Sequence, residues 1–337
     1  MKATDFSKKL TNFLTKYLPG ERGMSHNTIT SYKVTFILFI SFMEEQNKVK
    51  IEKLMLKDIT KDCIVKFLDW LQSERKCSDA TRNVRLAALH SFFRFLQYEI
   101  PEHLNEWQRI LSIKIKRTEK ATINYLTVDG IKLLLEQPYP STRKGLRDLA
   151  MLALMYDSAA RVTEIIDLTP SMVRLNKPPT IKLIGKGKKA RIVPLMEQEV
   201  VHLTRYMEVN KLLENNVNLN PLFFNSRKEK LTRAGVHHIL QCYVKMARNK
   251  DPKLIPNKIS CHSLRHSKAM HLLQAGVNLV YIRDILGHES VVTTEIYARV
   301  DSKQKRDAIE KAYANVVTRE APLWFENTNL LTWLREF

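Results

Sequence analysis

Across residues 1–111 the apolar side chains recur at intervals of three and four, a spacing that an amphipathic helix requires and that a strand, with its period of two, cannot use. Phe6, Leu10, Phe13, Leu14 and Tyr17 form one stripe, ended by Pro19-Gly20. Ile29, Tyr32, Phe36, Leu38, Phe39 and Met43 form a second, Ile64, Phe67, Leu68 and Leu71 a third, and Leu86, Leu89, Phe92, Phe93 and Leu96 a fourth. Ser78 is placed to cap the last of these at its N-terminus. The spacing predicts a small all-helical domain over 1–111.

A charged stretch with little core-forming pattern follows, so a linker is expected over 112–122. A second helical series begins near Thr127 and is interrupted once. Thr180–Ile184 and Ala190–Pro194 flank Gly185-Lys-Gly-Lys-Lys189, which predicts a β-hairpin with a basic turn. Helices return over Arg233–Met246, over Ser263–Ala275 before Gly276, and over Asn278–Leu286 before Gly287. The expected fold class is therefore mainly α with a small β-hairpin, an α+β second domain over 123–316 and a C-terminal tail over 317–337. Two domains suit 337 residues.

A formal net charge of +20 and a pI near 9.7 suit a polyanionic partner such as nucleic acid, or an anionic membrane surface. Against the membrane, the longest apolar run, near Thr35–Met43, is too short to span a bilayer. The first residues lack an apolar signal region, so a soluble cytoplasmic protein without membrane association is expected. Cys63, Cys77, Cys242 and Cys261 include no pair at zinc-knuckle spacing and read as free thiols.

The Gly185–Ala190 turn fits the relaxed pattern GxGxxA, but a dinucleotide site needs a helix directly afterwards and Arg191-Ile-Val-Pro194 reads as a strand. GxxxxGK[ST] is absent, so no nucleotide cofactor is expected. His262 and His266, four apart on one helix, could reach a common metal, but no third ligand stands at workable spacing and no metal is expected. His262 and Arg265 share a face, and a guanidinium fork beside an imidazole suits phosphate oxygens. Arg161, His288 and Tyr297 each have an ordinary structural reading when taken singly.

Taken together and in order, these segments resemble the tyrosine recombinase family of phage integrases, Xer-type resolvases and related transposases. The resemblance rests on Ala-Arg-Val-Thr-Glu-Ile-Ile-Asp-Leu168, the Gly-Lys-Gly hairpin ending Arg-Ile-Val-Pro-Leu195, His-Ser-Leu-Arg-His266, Leu-Gly-His288 and Thr-Thr-Glu-Ile-Tyr297. It implies that 1–111 is a core-binding domain and 123–316 a catalytic domain. By position it makes Arg161 and Arg265 the catalytic arginines, Lys186 the hairpin lysine, His262 and His288 the two histidines and Tyr297 the nucleophile. One departure is Asp157-Ser-Ala-Ala160, where many relatives carry Thr-Gly-Leu.

The chemistry implied is attack of Tyr297 on a phosphodiester to leave a 3′-phosphotyrosine and a free 5′-hydroxyl. Arg161, Arg265 and His288 would hold the charge developing on the phosphoryl oxygens, His262 would take the phenol proton, and Lys186 would protonate the leaving oxygen. Because the ester is conserved in the covalent intermediate, no high-energy cofactor is needed. The partners implied are double-stranded DNA with inverted-repeat core sites, three further copies in a homo-tetramer on two duplexes, and in some systems accessory proteins. Lys33, Arg82, Arg85 and Arg233 are candidate nucleic-acid contacts. The tail, with Leu323, Trp324, Phe325, Leu330, Leu331, Trp333, Leu334 and Phe337, is expected to dock on a neighbouring protomer or over its own active site. Mobile-element integration or transposition is the leading expectation. A Xer-type dimer resolvase, a non-cleaving regulator and a type IB topoisomerase-like relaxing enzyme are the alternatives.

Overall fold

The computed structural model describes residues 3–118, 123–214 and 220–300, with Thr332, Leu334 and Arg335, and leaves the side chains of Lys186, Arg299 and Val300 undescribed. The tail, apart from those three residues, and the segment 301–314, which reads in sequence as a helix, lie outside the described residues. The chain divides into two compact units, Met1–Ala121 and Thr122–Phe337.

The first unit is built from α1 (Asp5–Asn12), α2 (His26–Asn47), α3 (Lys61–Ser73), α4 (Asp79–Glu99) and α5 (Leu104–Leu111). Each of the first four starts where a hydroxyl can accept an otherwise orphaned backbone N–H. Thr4, Ser25, Thr60 and Ser78 take those of Ser7, Thr28, Cys63 and Thr81. The stripes meet in an aromatic core: Phe13 packs edge-on to Phe92 at 5.2 Å, Phe39 to Phe67 at 5.3 Å, and Phe93 lies 5.2 Å from Trp107. The first helix does not end at Pro19-Gly20. It continues from Phe13 to Glu21 as a π-helix, in which residues five apart share a face, so Phe13 and Leu18 are both buried.

Arg82 and Asn83 of α4 turn toward the chain that leaves α5. Asn83 exchanges hydrogen bonds with the backbone of Lys116, at 2.8 and 3.0 Å, and Ile113 joins the core. The stretch expected to open the linker is thus held against the first unit by satisfied backbone groups.

The second unit contains α6 (Val128–Leu135), α7 (Arg143–Asp157), α8 (Val162–Ile166), β1 (Val173–Arg174), β2 (Thr180–Ile184), β3 (Ala190–Pro194), α9 (Glu197–Val209), α10 (Arg233–Lys250), α11 (Cys261–Gln274), α12 (Leu279–Leu286) and α13 (Val291–Val300). Helix α7 is buried along its whole length from Leu149 to Met155, as its apolar run demands. The hairpin is antiparallel with Ile181 opposite Val193 and Leu183 opposite Arg191, turning Ile181, Leu183 and Val193 inward. β1 adds a two-residue edge strand, too short to carry a readable period. Helix α11 starts two residues earlier than its apolar pattern suggests, because Ser260 and Ser263 form its cap, and it therefore includes His262.

A small apolar cluster of Ala159, Ala269, Met270, Leu273, Ile282, Leu286 and Tyr297 joins the α7–α8 turn to α11, α12 and α13. It brings the segments carrying Arg161, Arg265, His288 and Tyr297 side by side. No helix among the described residues is long and apolar enough to cross a membrane.

Candidate active site

The last carbonyls of a helix have no partner within it and carry the negative end of its dipole. Helix α12 ends at Leu286, with Gly287 left-handed at φ +62°, and three arginines from distant segments converge on that end. Arg191 Nε donates to the Ile285 carbonyl at 2.8 Å, Arg265 Nη2 to Leu286 at 2.6 Å, and Arg161 Nη2 to Gly287 at 3.2 Å. His288 follows immediately. One helix terminus thus gathers the cations and delivers the imidazole.

Arg265 is 3% exposed and donates its other amino group to the Ala159 carbonyl at 2.8 Å. Burial, and then the charges of Arg161 and Arg191, lower its pKa to about 10, which leaves it protonated at neutral pH. Ala159 adopts φ +49°, in the left-handed region that favours glycine. Arg161 stands at the start of α8, where Glu164 accepts from its backbone N–H at 2.7 Å and from Nη1 at 2.9 Å. Glu164 is itself buried, and burial alone would raise its carboxyl. The paired hydrogen bonds and charge of Arg191, with those of Arg161, instead hold it below the usual carboxylate range.

His288 shares a hydrogen bond with the Thr294 hydroxyl through Nδ1 at 3.0 Å. Burial and the surrounding arginines push its pKa down to about 4, so it is a neutral hydrogen-bonding group at pH 7. Tyr297 is 1% exposed, and its phenol meets Nδ1 of His266 at 2.9 Å. Burial raises the phenol pKa, and the fields of Arg265 and Arg161 work against that rise. His266 is held near 4 by burial, His262 and Arg265, so its ring is neutral and able to accept the phenol hydrogen. His262 lies exposed one helical turn earlier, its ring 6.2 Å from that of His266, with its pKa lowered by partial loss of hydration and by the charges of Arg265 and Arg161.

Lys186 opens the Lys186–Lys188 turn between β2 and β3, where Gly187 at φ +73° reverses the chain. A cleft of ≈ 650 Å³, within the range of small-ligand sites, is bounded by Arg161, Gly185, Lys189, Arg191, His288 and Thr293. Among the described residues no group of three or more His, Cys, Asp or Glu is arranged to hold a metal.

Structure thus gathers Arg161, Arg265, His288 and Tyr297, and sets His262 beside them. It also gives parts to three further residues. Glu164, three residues after Arg161, reads in sequence as its partner and is so placed. The parts of His266, which receives the phenol, and of Arg191, which pairs with Glu164, carry no sequence signal beyond nearness to Arg265 and to the hairpin turn.

The nucleic-acid candidates separate. Lys33 and Arg233 are exposed. Arg82 is buried and reaches the Lys114 carbonyl, and Arg85 donates to the Ser31 carbonyl at 3.0 Å, so both are engaged within the first unit. Both side chains lean back onto the chain that they help to fold.

Residues 124–304 match the model of the phage integrase family, and residues 11–99 match the N-terminal SAM-like domain of phage integrases. A Sinorhizobium fredii protein described as an integrase/recombinase is 34% identical over 96% of this chain and 96% of its own. The tyrosine recombinase XerC of Thermodesulfovibrio yellowstonii is 32% identical over 90% of this chain and 95% of its own. In fold, the chain resembles the XerH recombinase solved with its difH substrate, with a TM-score of 0.66 at 23% identity over 89% of this chain and 84% of that one. It likewise resembles the Tn1549 transposon integrase solved with transposon end DNA, with a TM-score of 0.68 at 14% identity over 89% and 98%.

Fold and site define a DNA strand-transferring enzyme of the site-specific recombinase class. The chain belongs to the phage integrase family, the tyrosine recombinases.

Proposed function

We propose that this recombinase cuts one strand of double-stranded DNA with the Tyr297 hydroxyl and rejoins it to a new partner. The phenol oxygen bonds to phosphorus, the P–O5′ bond breaks, and the 5′-oxygen leaves as a hydroxyl after taking a proton from Lys186. Arg161 and Arg265 stabilise the charge on the nonbridging oxygens, with His288 donating a further hydrogen bond. His266 holds the phenol at rest, and His262, at the exposed end of the same face, takes its proton as it turns to the phosphate. The observation that carries the reading is the convergence of Arg161, Arg265 and His288 on one helix end, with Tyr297 in the same buried cluster.

Residues 1–111 are assigned as the core-binding domain, 112–122 as the linker, 123–316 as the catalytic domain and 317–337 as a tail that packs between protomers or over the site. Lys33 and Arg233 are assigned to the DNA surface, where the surplus of cations supports phosphate contacts. The working assembly is a tetramer on two duplexes with inverted-repeat core sites, passing through a Holliday junction, and its biological role is movement of a mobile element. Likeness to XerC and XerD supports a second reading, dimer resolution.

Detergent-stopped reactions of the wild type and Tyr297→Phe, followed by recovery and sequencing of protein-linked DNA, test this. Adducts through a 3′-phosphate with the wild type alone are expected, at one shared sequence. A site at the ends of a mobile element supports transposition, and a single chromosomal site supports dimer resolution. Absence of any adduct with DNA binding intact would sink the reading in favour of a non-cleaving regulator.

A further inference from the structure

Arg191 has no part in the reaction as proposed above, yet it is the most completely tied of the three arginines. Its side chain is 12% exposed, its fork grips both oxygens of Glu164 at 2.8 Å, and its Nε reaches the Ile285 carbonyl at 2.8 Å. It stands on β3, the strand that leaves the Lys186 turn, and so bridges hairpin, α8 and α12. Space at this junction is limited: a Cβ on Gly287 would lie 3.0 Å from Arg191 Nη1.

The electrostatics of the group follow from counting. Arg161 and Arg191 bring two positive charges and Glu164 one negative, so the trio carries one surplus positive charge. Without Arg191, Arg161 and Glu164 would cancel, and a buried carboxylate with a single partner would draw the guanidinium toward itself. An arginine neutralised by its neighbour stabilises a phosphoryl transition state poorly.

We infer that Arg191 is a positioning residue that neutralises Glu164, leaving the charge of Arg161 available to the scissile phosphate. Glu164 sets the position of Arg161 through its backbone N–H and Nη1, and Arg191 keeps that constraint from costing the site its field. The inference rests on Tyr297 being the nucleophile and Arg161 a phosphate ligand.

The test compares the full-length wild type with Arg191→Met, Arg191→Lys and the double variant Arg191→Met/Glu164→Gln. Each is assayed for single-turnover cutting of a duplex carrying the recovered site, for affinity for that duplex and for melting temperature. Arg191→Met is expected to cut at least about 100-fold more slowly, the scale of losing one preorganised electrostatic contact, with DNA affinity little changed. The double variant restores the net charge and is expected to cut at least about tenfold faster than Arg191→Met, a direction no purely structural role produces.

Wild-type cutting by Arg191→Met overturns the inference, and so does a double variant no faster than the single one. Arg191→Lys keeps the charge but loses the fork. If methionine prevents folding, a folded Arg191→Lys that cuts within about tenfold of wild type supports the inference, by the same scale of one contact, and one that does not cut overturns it. Failure of the wild type to form an adduct overturns instead the reading of Tyr297.

Discussion

The phenol of the buried Tyr297 lies 2.9 Å from Nδ1 of the half-buried His266, while the exposed ring one helical turn earlier is that of His262. The nucleophile is therefore held by a neutral imidazole and must exchange that partner for a phosphate. A double-mutant cycle of Tyr297→Phe and His266→Ala, followed by urea unfolding, is expected to give a coupling of about 1 kcal/mol, the net worth of one hydrogen bond. A coupling indistinguishable from zero would show that the contact is not formed in solution.

Ala159 occupies left-handed backbone at φ +49° with its side chain fully buried, and its carbonyl anchors Arg265. Glycine reaches this conformation without a Cβ penalty. Ala159→Gly is expected to stabilise the protein by about 1 kcal/mol, raising the melting temperature by about 2–4 °C. A lower melting temperature in calorimetry would count against it.

Gly287 is the reverse case. Its φ of +62° disfavours any side chain, and the 3.0 Å approach of Arg191 Nη1 means that a methyl group would push the guanidinium aside. Gly287→Ala is expected to destabilise by about 1–2 kcal/mol through the backbone strain and displaced guanidinium, and to slow adduct formation because all three arginines bond this helix end.

The two half-buried histidines give stability a pH dependence. His266 and His288 both titrate near 4 when folded, below the ordinary histidine value of 6.5, so the unfolded chain binds more protons between those values. Their contribution is full above pH 6.5 and is lost as the pH falls toward 4. The melting temperature is expected to drop over that window, and less steeply in His288→Gln. An equal slope in the variant would remove His288 from the cause.

Lys33 and Arg82 are expected to behave oppositely on substitution. Lys33→Ala, at an exposed position, should weaken DNA binding alike for all sequences and reduce the salt slope by about 1. Arg82→Ala, which empties a buried position bonded to the Lys114 carbonyl, should lower stability by about 1–3 kcal/mol. Filter binding across salt concentrations and thermal melts separate the two.

Much of this was legible in the chain itself. The apolar spacing around Phe67, Leu89 and Phe92 specified helices because period is a local property, and the Gly185–Lys189 turn specified the hairpin because strands on both sides alternate inward. The π-helix at Phe13–Glu21 was not legible, since a five-residue spacing looks like a lapse in a helical pattern. Nor was the inward lean of Arg82 and Arg85, because an arginine that caps a distant carbonyl reads the same in sequence as one that faces solvent.

By itself the sequence determined most of the helices and the hairpin, the family and the order in which Arg161, Arg265, His288 and Tyr297 occur, all of which depend on local pattern and motif. Only the tertiary structure decided that Ile285, Leu286 and Gly287 each accept from a different arginine, that Arg191 embraces Glu164, and that His266 holds the nucleophile. Those pairings join residues that folding alone makes neighbours, and buried charge and unpaired helix carbonyls select them only once the low-dielectric interior makes each unmet hydrogen bond costly.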